Sequence, residues 1–202
     1  MSAPRRDARR EVIPAPDEAS LPRRYAPEFS LPAYRYVPGC HPHPNRDPAG
    51  HSFGHPAPRI PALDPSAWER ERQYLLGVDL FNRRYFWEAH EAWESVWRAC
   101  SPDSTEGRFL QGLILVSAAF LKWCEGRPAG LERLHAKALR CFAPVLGEAP
   151  GAPSPAAFMG IALRDWLDEV AEAMRRLPER APGLIDHSVV FPVIRLAAAP
   201  PE

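Results

Sequence analysis

The sequence predicts an all-α fold: an antiparallel bundle of about five helices carrying an extended, proline-rich N-terminal arm. Three observations lead there. The 25 prolines segregate, with 14 at or before Pro65 and none between Pro65 and Pro102. Beyond Pro65, apolar residues recur at intervals of three and four, the spacing of one helix face. These periodic segments are joined by short connections with little strand signal, the pattern of neighbouring antiparallel helices. The implied organisation is an arm over residues 1–64, a helical domain over 65–180 and an extended tail over 181–202.

The arm contains segments such as LPRRYAPEFSLPAYRYVPG. They cannot be helical, because Pro removes backbone donors and turns the preceding residue away from the α region. Tyr25, Phe29, Tyr34, Tyr36, Val37 and Phe53 give the arm apolar anchors that disordered linkers lack, so it should drape over the helical domain. Asp64 as N-cap and Pro65 at N1 open a first helix running to about Phe81, with Trp68, Leu75, Leu76, Val78, Leu80 and Phe81 available for packing. Asn82 to Arg84 reads as a connection. A second helix covers about Tyr85 to Cys100, stopping near Ser101-Pro102. A third runs from Asp103 or Ser104 to Glu125, where Gly112, Ser117, Ala118 and Ala119 would admit a neighbour closely. Pro128 introduces a fourth, about Ala129 to Leu146, which Pro144 should truncate or kink. Ser154 and Pro155 are expected to start a fifth, with a stripe including Phe158, Ile161, Trp166, Leu167 and Val170, ended by Pro178. The tail SVVFPVIRL is β-branched but broken by Pro192, so it should be extended or an edge segment.

Composition narrows the function classes. With 202 residues, 46% hydrophobic, the chain can bury an ordinary single core. Lys+Arg and Asp+Glu both total 25, so no charge bias points to nucleic acid or to an anionic membrane. Cys40, Cys100, Cys124 and Cys141 have neither CxxC spacing nor the density of a disulfide scaffold, which suits reduced thiols. Arg5, Arg6, Arg9 and Arg10 are not followed by an apolar run, against a secretory signal. The most apolar stretch, Leu113 to Leu121, falls well short of the roughly 20 residues of a membrane span. A cytoplasmic protein is expected, whose partners are a small molecule or another protein, a second copy of the chain included.

The chemistry concentrates in YFWEAHEAWESVW, Tyr85 to Trp97. At about 100° per residue, His90 and Glu94 lie about 40° apart, on the side of the wheel that carries Phe86, Trp93 and Trp97. A polar pair in an apolar stripe must be satisfied by other residues or serve a metal or substrate. Arg108 and Gln111 on the third helix could complete a buried network with it.

FNRRYFWEAHEAWESVW followed by RFLQGLILVSAAFLKW resembles the bacterial and archaeal domain-of-unknown-function 309 family. The hallmark HxxxExxW is His90, Glu94 and Trp97; Phe81-Asn82, Tyr85, Glu88, Arg108, Gln111 and Gly112 also fit the family pattern. The resemblance spans about Tyr74 to Phe142, and the arm segment LPAYRYVPGCHPHPNRDPAGHSFG looks like an extension carried by a subset of members. Arg84 departs from the acidic or small residue of many members, outside the hallmark. The resemblance implies an all-helical fold and suggests metal binding, with no established reaction.

Imidazole and carboxylate at i, i+4 can reach one divalent ion, such as zinc, manganese or iron. HExxE lacks the second histidine of HExxH zinc proteases. Glu91 and Glu88 stand about 100° and 160° from His90, which predicts solvated surface for both. Further ligands could come from the arm: His41 and His43 share one side of an extended chain, and His51 follows a turn. Asp47 and His55 lie in the same stretch. A di-iron bundle needs paired Glu-x-x-His motifs, and the single instance, Glu132 to His135, points off its helix's apolar face. His135 should sit at the core edge and His187 in a loop. Two classes follow. One is a metal-binding, hydrolytic protein holding its ion through His90, Glu94 and arm histidines His41, His43 and His51, with Glu91 or Arg108 assisting catalysis. The other is a non-enzymatic interaction module with His90, Glu94 and Arg108 as a buried network. No phosphate loop, GxSxG elbow, Cys-His signature or dinucleotide fingerprint is present.

Overall fold

The computed structural model describes residues 13, 15–56, 58, 60–61, 63–147, 157–177 and 190–197. Among them are five α-helices and no strand: α1 Arg72–Asn82, α2 Phe86–Trp97, α3 Thr105–Cys124, α4 Pro128–Phe142 and α5 Leu163–Arg176. The expected all-α bundle is present. None of these helices is long and apolar enough to cross a membrane.

The first expected helix is broken in two. Asp64 does cap its start, accepting from the Ser66 N–H, but Pro65–Arg70 is a 3-10 segment with a non-helical Ala67. Glu71, extended at ψ 92°, then caps α1 by accepting from the Gln73 N–H. The break buries Trp68, which meets Tyr74 edge to face at 6.1 Å. α1 and α2 pack so closely that a Cβ on Gly77 would lie 2.3 Å from the Trp93 ring nitrogen. That nitrogen donates to the Tyr74 carbonyl at 3.1 Å. Only a glycine leaves room there. The reversal between the two helices is made by Arg84 in the left-handed region, φ 65°.

Ser104 caps α3 through the Gly107 N–H. α3 packs against both α2 and α4. Lys122 lies against Gly130 and Phe142 against Gly112, so α3 and α4 run antiparallel, with the expected Gly112 at one close approach and Gly130 of α4 at the other. α4 stops at Phe142, short of Pro144; Val145 and Leu146 stay buried in the turn that follows.

The fifth helix is shorter than expected. Ser154 and Pro155 lie outside the described residues, but 157–162 is not helical. Phe158 and Ile161 bridge each other across Met159 (φ 44°) and Gly160 (φ 77°), a tight left-handed turn that a helix cannot accommodate. Tyr74 Oη holds the turn by donating to the Met159 carbonyl at 2.7 Å. Ile161 also bridges Leu196, and the tail is extended, as expected, over 190–197, with this isolated bridge in place of a sheet. Trp166 of α5 seals the core against Phe81 and Phe142.

The arm does drape over the bundle, and it joins the core. Tyr25, Ala26, Tyr36 and Val37 are buried. Phe53 is the exception among the expected anchors, 46% exposed. Two carboxylates fasten the arm. Asp79 accepts from the backbone N–H of Tyr25 and of Ala26, both at 2.9 Å, with Arg24 at 3.4 Å and Arg83 at 3.7 Å beside it. Burial holds the Asp79 carboxyl above the usual range, against the pull of those donors and arginines. Glu88 Oε1 accepts from the Tyr36 N–H at 3.0 Å. Asn82 fastens the tail, donating to the Ile194 carbonyl at 2.8 Å and accepting its N–H at 2.7 Å.

Candidate metal centre

α2 turns Phe86, Ala89, Trp93 and Val96 into the core, so the intervening positions face outward or toward the arm. His90 and Glu94 are therefore about one-third exposed rather than buried. His90 Nε2 stands 3.9 Å from Glu94 Oε2, and Arg98 pairs with that same oxygen at 3.0 Å. Trp97, the last hallmark residue, packs against the core.

Glu91, expected on the solvated surface, belongs with them. One ligand atom each from His90, Glu91 and Glu94 can be chosen so that all lie within 4.8 Å of one another. No other such group of three occurs among the described residues. The 100° offset on the wheel is overcome by the reach of a three-carbon side chain. Burial pushes the Glu91 carboxyl up, with Glu94 adding to the effect and His90, Arg98 and Asn45 opposing it. Asn45 Nδ2, from the arm, reaches Glu91 Oε2 at 3.4 Å. One imidazole and two carboxylates, braced by an amide and a guanidinium, suit a borderline or hard divalent ion.

The remaining expected partners go elsewhere. Arg108 pairs with Asp103 at 2.9 Å, and Gln111 accepts from the Cys141 thiol at 3.6 Å. The buried network of His90, Glu94 and Arg108 does not form, because the pair it was to satisfy reaches solvent. His41 Nδ1 accepts from the Val37 N–H and its ring stacks on Tyr34. His43 Nδ1 accepts from the Asn45 N–H, its ring meeting Tyr36 and Trp87. His51 binds Glu88 at 3.0 Å. The arm histidines thus build an aromatic seam between arm and α2 instead of joining His90. Glu88, expected in solvent, is buried beneath that seam with 4% of its side chain exposed. Glu132 is exposed and His135 half-buried, as the helix wheel indicates. His187 lies outside the described residues.

The four cysteines are free thiols. Burial pushes Cys100 up to about 11 and Cys124 higher, so neither is an activated nucleophile.

An all-helical bundle bearing a His–carboxylate cluster on its outer face is the class that fold and site define. Residues 74–134, from within α1 to within α4, match the profile of a domain of unknown function (DUF309). The matched segment contains the whole cluster, while the arm, α5 and the tail lie outside it. No curated protein matches the chain.

Proposed function

We propose that this protein binds one divalent ion, zinc, manganese or iron, through His90, Glu91 and Glu94 on the outward face of α2. The observation that carries the reading is the 4.8 Å grouping of one imidazole and two carboxylates at the edge of the arm. Three protein ligands at a half-exposed position leave coordination sites open, the arrangement of a reactive rather than a structural centre. A bound ion there would acidify water or polarise a carbonyl, which is the basis for a hydrolytic role in the cytoplasm. Glu91 serves as a ligand in this reading, and Arg108, tied to Asp103, takes no part.

A non-enzymatic interaction module is the second reading, favoured by Arg98, which already neutralises Glu94 at 3.0 Å. Metal content of the tag-free protein by mass spectrometry separates the two. Near-stoichiometric metal, lost in His90→Ala, Glu91→Ala and Glu94→Ala, is the expected result. Wild-type protein that stays empty after exposure to zinc, manganese and iron would leave the interaction module standing.

A further inference from the structure

A cleft of about 240 Å³ opens between the arm and the outer faces of α1 and α2. Its apolar wall includes Pro32, Leu76, Leu80, Trp87 and Ala92. Ser52, His51 and Glu88 line the same cleft, and they are linked in series. Ser52 Oγ stands 2.8 Å from His51 Nδ1. His51 Nε2 stands 3.0 Å from Glu88 Oε1. With its proton assigned to Nε2, facing the Glu88 oxygen that also accepts the Tyr36 N–H, His51 turns its Nδ1 lone pair toward the serine hydroxyl. A hydrogen bond between adjacent serine and histidine side chains is by itself a common local contact. Here the far nitrogen is fixed by a carboxylate with 4% of its side chain exposed, and all three groups border one cavity.

We propose that Ser52, His51 and Glu88 form a nucleophile, base and orienting acid that hydrolyse a carboxylic ester with a short apolar acyl group. Linked nucleophile, base and carboxylate are the arrangement acyl transfer requires, and it recurs on unrelated folds. Ser52 Oγ attacks the acyl carbon while its proton passes to His51 Nδ1. The imidazolium, held at Nε2 by Glu88, returns that proton to the departing alkoxide. Water, deprotonated by the same Nδ1, then attacks the acyl carbon, and the imidazolium returns that proton to Ser52 Oγ as the ester bond breaks, releasing the acid and restoring Ser52 and the neutral imidazole. Asn45 and Arg98 also line the cleft, where they are engaged by Glu91 and Glu94. The acyl chain lies along the apolar wall. None of these steps involves the metal reading, so either can fail without the other.

The full chain is treated with a fluorophosphonate probe and the modified residue mapped by mass spectrometry, with p-nitrophenyl butyrate hydrolysis measured in parallel. The expected result is one probe per chain on Ser52, no labelling in Ser52→Ala, and at least a tenfold slower reaction in His51→Asn. Ser52→Ala removes one half-exposed hydroxyl and keeps the Glu88–His51 contact, so it stays informative even where His51→Asn unfolds. Wild-type protein that is not labelled, or labelling that persists in Ser52→Ala, overturns the proposal.

Discussion

The two sides of the α1–α2 hairpin handle their polar residues in opposite ways. On the side covered by arm and tail, Asp79, Asn82 and Glu88 are buried, and each is engaged by backbone groups of a distant segment. On the outward side, His90, Glu91 and Glu94 keep contact with water and are braced by Asn45 and Arg98 side chains. Buried carboxylates facing backbone donors are structural fasteners, because removing either partner strands the other. Half-exposed carboxylates gathered around an imidazole contribute little to stability and are free to bind. The same helix α2 carries both kinds, one on each flank.

Substitutions can break this contrast. Asp79→Ala should have the largest effect, about 3–5 kcal/mol lost in urea unfolding, since it strands two buried N–H donors and takes the carboxylate away from Arg24 and from the 4%-exposed Arg83, which keeps only Glu18. Glu88→Ala should follow at about 2–3 kcal/mol, with Glu88→Gln costing less because an acceptor for the Tyr36 N–H remains. His90→Ala and Glu94→Ala should each stay within about 0.5 kcal/mol of wild type by the same measurement. A loss of several kcal/mol at either position would erase the distinction between the two flanks.

A smaller effect sharpens the contrast with a third kind of polar group. His135 Nε2 is buried with no hydrogen-bond partner among the described residues, and burial lowers its pKa below the usual 6.5. The unfolded chain therefore binds a proton more readily than the folded one. This contribution to stability is complete above about pH 6.5 and fades as pH falls toward the depressed value. His135→Leu should flatten the melting temperature of the protein between pH 7 and pH 5 relative to wild type.

The periodic part of the chain was legible because its causes are local. Leu131, Ala138 and Phe142 repeat on one face, Ser104 caps and Pro128 opens a helix, and these act within a few residues. What was missed depends on remote partners. Glu88 looks solvated on a wheel because the residues that cover it, Tyr36 and His51, lie 52 and 37 positions away. The helix expected from Ser154 gives way at Phe158–Ile161 because Tyr74, 85 residues earlier, holds the turn and Leu196 bridges to it. At the candidate centre, His90 and Glu94 were legible from i, i+4 spacing. Glu91 was not, since angular spacing ignores side-chain reach. The exclusion of Arg108 rests on a local competitor, Asp103, at the head of α3.

Both ends of the described chain are pinned to one hairpin, and they meet: the Leu196 N–H donates to Tyr25 Oη at 3.1 Å, across 171 residues. The Asp79 contacts close loops of 53 and 54 residues, and Asn82 closes one of 112. Closing 171 residues instead of 53 costs about 1 kcal/mol more in chain entropy, so contacts of this range form after the helices that receive them. Contact range predicts that the α1–α2 and α3–α4 hairpins assemble before arm and tail close over them, an order that pulsed hydrogen exchange during refolding would check. In newly made protein, Asn82 and the Phe86 and Phe120 rings therefore lack the cover of Phe191 and Ile194 until residues 190–197 have been added.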